Sequence, residues 1–176
     1  MYRYFFQFSK VLLLCVLTIS LFACTGDKEK AEKHYNRAME YAERKDYDKA
    51  AEEFRKSLDL DGEKLNALFN LAVTCTYIDI QSPEAEELFL KVVKKVEALG
   101  SGSEHYIYLP NSYYGLASIY SIRNEKEKAL DMLEESVKAG FNDYEHLVHD
   151  SDMKNISEEN RFKQLKDVIS RSSAGK

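Results

Sequence analysis

The chain has 176 residues, a formal net charge of −5 and 44% hydrophobic residues, with seven glycines, two prolines and no tryptophan. No basic stretch stands out against that acidic balance, so nucleic acid is not an expected partner. Scarce Gly and Pro beside abundant Ala, Glu, Lys and Leu favour helices over strands.

Residues 1–10 carry Arg3 and Lys10 and no acid, and Val11 to Ala23 carries no charge over 13 residues. A positive start followed by a short apolar run is the layout of a secretory signal. It falls short of the roughly 20 residues a spanning helix needs. An uncleaved anchor helix would have to enlist Tyr4, Phe5, Phe6 and Phe8. Leu21-Phe22-Ala23-Cys24 resembles the lipobox of bacterial lipoproteins, with Phe22 bulkier than is usual before the small residue. The resemblance implies cleavage after Ala23 and a thioether from Cys24 to a diacylglyceryl group. A chain with two or three acyl chains is held on the membrane in effect permanently. Residues 24–28 are then the lipidated cysteine and a short tether. Thr25, not Asp, follows the cysteine, which under enteric-type sorting implies the outer membrane, facing the periplasm, whereas other lineages sort differently.

Loss of 1–23 leaves 153 residues, enough for one domain with a core. That segment holds two basic residues and no acid, so the net charge moves from −5 to −7. Cys15 departs with it and Cys24 is acylated, which leaves Cys75 unable to form an internal disulfide. Packing alone must hold the fold.

Ala38, Tyr41, Ala50, Phe54 and Ser57 recur in type as Ala72, Cys75, Ala85, Phe89 and Val92, then as Ala117, Tyr120, Ala129, Leu133 and Ser136. A period near 34 residues, with small residues at fixed offsets, marks helix pairs that approach closely. The pattern resembles the tetratricopeptide repeat, most closely in "AEKHYNRAMEYAERKDYDKAAEEFRKSLDLDGEK". Units run over about 31–64, 65–99 and 110–143 within residues 29–143, with ten extra residues around "GSGSEHYIYLP" before the third. This insertion, with Tyr106 and Tyr108, is expected either to wall the groove or to add a helical turn with exposed tyrosines.

Helix boundaries are legible from local chemistry. Asp46 and Asn124 are expected N-caps, Ser82-Pro83 a helix start, and Gly62 and Gly140 C-terminal caps. Residues 144–171 resemble the closing helices of such arrays, with Phe162, Leu165, Val168 and Ile169 as the apolar side of the last helix. Residues 172–176 read as a frayed tail. The resemblance therefore implies an all-α fold, a right-handed solenoid of three helix pairs plus C-terminal capping helices.

Little in the chain suggests catalysis. His146 and His149, with Asp150 and Asp152 nearby, have a spacing that can hold a metal, yet the same residues fit a short helix followed by a capped turn. No nucleophile has a suggestive partner and no glycine-rich phosphate loop occurs. Neither an enzyme nor a cofactor is expected.

In the resembled family the first helix of each pair lines a concave surface. The matching positions are Glu32, Tyr35, Asn36 and Met39, then Asn66, Phe69, Asn70 and Val73, then Asn111, Tyr114, Gly115 and Ser118. The basic and asparagine clamp that captures a C-terminal carboxylate in one branch of the family is matched only at Asn70. Asparagine pairs with both the N–H and C=O of an extended peptide, and Tyr and Phe supply apolar contact. Tyr35, Asn36, Met39, Asn66, Phe69, Asn70, Val73, Asn111 and Tyr114 are thus the expected groove, unless Tyr35 and Phe69 pack between helices instead. The expected role is a lipid-anchored adaptor in a bacterial envelope assembly, with a protein or peptide partner; the alternative is a lipoprotein that binds a peptide or small ligand.

Overall fold

The computed structural model describes residues 26–174, and within them the chain is helical without a strand. The signal-like segment and Cys24 lie outside the described residues. Helix α1 covers 26–43, so three residues of the expected 24–28 tether are already helical. Then follow α2 (Tyr47–Leu60), α3 (Leu65–Ile78), α4 (Pro83–Leu99), a 3-10 turn (Glu104–Ile107), α5 (Tyr108–Ile122) and α6 (Lys126–Lys138). The chain closes with α7 (Tyr144–His149), a second 3-10 turn (Ser151–Met153) and α8 (Asn160–Ala174).

Three helix ends are built identically. Lys45 (φ 60°), Asn124 (φ 60°) and Gly140 (φ 109°) adopt the left-handed conformation just past α1, α5 and α6. The next N–H then reaches back: Asp46 to the Tyr41 carbonyl, Glu125 to Tyr120 and Phe141 to Ser136, at 2.8–2.9 Å. This is the Schellman closure, which satisfies carbonyls the helix leaves orphaned. Asn124 therefore ends α5 rather than capping α6, because its short side chain tolerates positive φ. Asp46 does precede α2 but accepts no cap hydrogen bond and pairs with Lys49 instead. Gly62 does not close α2; Asp61 does, through its N–H to the Ser57 carbonyl. Ser82 caps α4 as expected, accepting from the Glu84 N–H at 3.2 Å with Pro83 in the first turn.

Packing follows the small residues. Ala38, Ala50, Ala72, Ala85, Ala117 and Ala129 are fully buried, and Phe54 and Phe89 fill the space between them. The Ser57 hydroxyl donates to the Ala31 carbonyl and the Ser136 hydroxyl to that of Pro110, each at 2.7 Å and each 26 residues back. Val92 takes the equivalent place in the second pair, buried and without a hydroxyl. Cys75 is a buried core residue, and burial pushes its thiol up to about 11, far from reactive.

Beyond Gly140 the chain closes the array. Leu147, Met153, Ile156, Phe162 and Ile169 are buried, while Leu165 is half-buried and Val168 is exposed, contrary to expectation. Residues 172–174 are not a frayed tail: α8 continues through them, and the Ser173 hydroxyl donates to the Asn142 carbonyl at 2.5 Å.

Glu86 joins the second and third pairs, accepting from the Tyr120 hydroxyl at 2.7 Å and from Arg123. The Tyr120 hydroxyl, then the Arg123 guanidinium, hold this carboxyl below its usual range. A depressed carboxylate contributes stability that is present above the unfolded pKa, about 4.3, and is lost as pH falls through the folded value. Glu86→Gln is expected to cost roughly 1–2 kcal/mol at neutral pH, with the difference from wild type shrinking in acid. Urea unfolding at several pH values measures it; a constant difference down the acid limb refutes the assignment.

Candidate functional site: the concave face

The first helices α1, α3 and α5 stand side by side, and their shared face collects four of the aromatic and amide side chains. Asn70 Nδ2 donates to the Tyr35 hydroxyl at 3.1 Å across the α1–α3 boundary. The Phe69 ring lies 5.1 Å from Tyr108 and 6.1 Å, edge-on, from Phe89 beneath it. Tyr35 rests on Phe54 at 5.7 Å, with the Lys64 ammonium 5.0 Å above its ring and paired to Glu32. Burial, then the neighbouring Tyr108, raises the Tyr35 hydroxyl above its ordinary range, so it stays protonated and able to donate at neutral pH.

Tyr35, Phe69 and Asn70 are each half-buried. The Tyr35 and Phe69 rings pack against the core and remain partly accessible. Tyr108 completes this strip. The insertion does not present exposed tyrosines: Tyr106 and Tyr108 are half-buried against the core, Tyr108 on the concave face beside Phe69, and it is Ile107 between them that is two-thirds exposed. The chemistry of Tyr108 was legible in the sequence, but its side of the fold was not.

The remaining expected groove residues divide. Asn36 is exposed on α1, and Met39 and Val73 pack half-buried against the core. Asn66 turns its Oδ1 onto the Ala67 N–H at 2.8 Å, at the start of α3. Asn111 is exposed, its nearest partner being the Ile107 carbonyl at 3.5 Å. Tyr114 does not belong to the groove. It is 6% exposed, stacked on Phe141 at 4.5 Å, and its hydroxyl donates to Asp150 at 2.7 Å. The closing segment occupies the place a fourth first helix would take and covers it. Burial and then Asp150 drive the Tyr114 pKa upward, so this hydroxyl is a fixed donor.

Gly115 and Ser118 leave the groove for related reasons. The Ser118 hydroxyl is buried against the Tyr114 carbonyl, and Gly115 lies directly against the Phe89 ring. His146 sits 5.1 Å from the Tyr114 ring, whereas His149 Nδ1 lies 2.8 Å from its own helix's Glu145 carbonyl. Among the described residues no group of three His, Cys, Asp or Glu side chains converges as a metal site. Two open clefts flank Tyr106, one of about 380 Å³ against Leu109 and Tyr113 and one of about 500 Å³ against Pro110 and Phe141.

An all-α array of antiparallel pairs, closed at one end and presenting its first helices on one face, is a helical-repeat interaction scaffold. Residues 31–64 and 110–139 each match the tetratricopeptide repeat. The chain thus carries tetratricopeptide repeats in its first and third pairs, with α3–α4 continuing the same stacking between them, and its repeats are protein–protein interaction modules. No curated protein matches the chain.

Proposed function

We propose that this protein is a lipid-anchored adaptor of a bacterial cell envelope, held on the outer membrane by acylated Cys24 and facing the periplasm. Its concave strip engages an extended segment of a partner protein. The observation that carries the binding role is the convergence of Tyr35, Phe69, Asn70 and Tyr108 on one face, where amide and hydroxyl groups stand beside accessible rings. The strip carries no cluster of basic side chains, which favours an internal segment over a free C-terminal carboxylate. The apolar run 11–23 and the lipobox-like Leu21 to Cys24 support the anchor. A second reading, capture of a peptide or small ligand, draws support from the clefts beside Tyr106, whose volumes suit small molecules.

Crosslinking in intact envelopes tests the adaptor reading. The wild-type chain is expected to retain one stoichiometric protein partner. The double change Tyr35→Phe, Asn70→Ala removes both members of the polar pair while keeping the ring on Phe54. Removing both partners of a hydrogen bond costs little stability, so the melting temperature should stay within about 2–4 °C of wild type. Partner capture should fall at least about tenfold, the equivalent of roughly 1.4 kcal/mol. Undiminished capture by this variant would move the working surface away from the concave face.

A further inference from the structure

Successive helices run antiparallel, so the starts of α1, α3 and α5 share one edge of the solenoid with the ends of α2, α4 and α6. Side-chain bonds trace that edge. Ser57 meets Ala31, Lys64 meets Glu32, and Lys95 meets Glu63. Tyr113 meets Glu97, Ser136 meets Pro110, and Ser173 of α8 meets Asn142. Two large apolar side chains stand in solvent on the same edge, Leu99 at the end of α4 (55% exposed) and Ile107 before α5 (67% exposed). The edge reaches outward at both ends. Helix α1 begins five residues ahead of Ala31. The turn Glu104–Ile107 continues directly into α5, with Ile107 itself in helical conformation.

The uncharged run 11–23 ends just before this edge. Only residues 24 and 25 separate Ala23 from the start of α1, and three steps of extended chain span no more than about 11 Å. Whether the membrane attachment is acylated Cys24 or the apolar run itself, it lies within that distance of the start of α1, at one end of the edge that further along carries Leu99 and Ile107. Among the described residues no helix is long and apolar enough to cross a membrane. Along the edge Lys64 pairs with Glu32, Lys95 with Glu63, and Lys138 with Glu134 and Glu135, while Asp59, Asp61 and Glu104 have no Lys or Arg partner among the described residues. Charges so arranged offer little net attraction to anionic lipid, which leaves the apolar side chains to make the contact.

We infer that this edge lies on the bilayer surface, with Leu99 and Ile107 seated in the interfacial layer and the solenoid held in one orientation on the membrane. The inference rests on the membrane attachment proposed above. Attachment alone retains the protein, and the two side chains orient it. Tyr35 lies nine residues into α1, about 14 Å from its start at 1.5 Å per residue. The concave strip therefore stands close above the lipid, where it meets a membrane-proximal segment of its partner.

The sequence contains no tryptophan, so single tryptophans report position without background. Full-length chain carrying Leu99→Trp or Ile107→Trp is reconstituted in vesicles of phosphatidylethanolamine and phosphatidylglycerol, with and without a phosphatidylcholine brominated high on its acyl chains. Tyr77→Trp serves as the control, since Tyr77 is exposed on the opposite edge at the end of α3. The Leu99 and Ile107 probes are expected to shift to the blue and to be quenched by bromine, and the control to do neither. Vesicle flotation of the same samples, beside Cys24→Ala, reports attachment separately. Protein that floats with all three probes equally unquenched overturns the orientation and leaves the anchor standing. Probes shielded from aqueous acrylamide but not reached by bromine would mean that protein covers the edge, and that also overturns it. Protein that fails to float removes the anchor and the inference with it.

Discussion

A chain that stops at residue 143 is expected to lose the cooperative fold of its third repeat. The closing segment buries Leu147, Met153, Ile156, Phe162 and Ile169, and its second 3-10 turn and α8 pack against α5 and α6. Deletion returns the conformational entropy of the removed residues, so their own burial is largely offset. What is not offset is the apolar surface left bare on α5 and α6, beginning with Tyr114. Each large side chain uncovered costs about 1.5–3 kcal/mol, and three of them roughly 4–9 kcal/mol, against a total domain stability of about 5–15 kcal/mol. Solenoids need such an end because each unit buries its face only against a neighbour. Hydrogen exchange should show α5 and α6 unprotected in the shortened chain while α1 to α4 keep partial protection. Full protection of α5 in the 143-residue chain would show that the closing helices are dispensable.

The second large effect centres on Gly115 and Phe89. A Cβ placed on Gly115 would lie 2.6–2.7 Å from the Phe89 ring, inside any real contact. The ring is 2% exposed and held edge-on to Phe69, so it has nowhere to go. Alanine here gains about 1 kcal/mol of helix propensity, but overpacking a closed site typically costs about 1–3 kcal/mol. Gly115→Ala is therefore expected to be destabilising despite its better propensity, and Gly115→Leu more so. Phe89→Ala alone should cost about 3–5 kcal/mol through the cavity it opens. The combination Phe89→Leu, Gly115→Ala should be less destabilised than the sum of its single changes, because the smaller side chain gives the new methyl room. Denaturant unfolding of the four proteins gives the coupling directly. Strict additivity would mean that α4 and α5 can separate without penalty.

Several elements were legible in the chain because they depend on neighbours a few residues away. The recurrence of Ala38, Ala72 and Ala117 and of Ala50, Ala85 and Ala129 set three close helix crossings. Ser82-Pro83 set a helix start, and Gly140 a helix end. The apolar run before Cys24 and the residue types facing α1 and α3 were equally plain, since composition and the 3.6-residue period require no knowledge of the rest of the fold.

Contacts between distant residues decided the rest. Asn124 has the chemistry of an N-cap and of a left-handed C-terminal residue, and only its backbone dihedral separates the two. Tyr114 and Phe69 occupy equivalent repeat positions, yet one is buried and the other accessible, because Phe141 and Asp150 fold back over the last unit and nothing comparable covers the second. Gly115 looks like an empty place in the groove until Phe89, 26 residues away, is seen to fill it. Tyr108 belongs to the concave strip because the insertion runs directly into α5 and turns that ring toward Phe69. Local pattern determined which faces this chain must bury and a few helix ends, those at Ser82-Pro83 and Gly140 among them. Which side chains are left accessible depended on what the far end of the chain brings against them, and that is a property of tertiary packing.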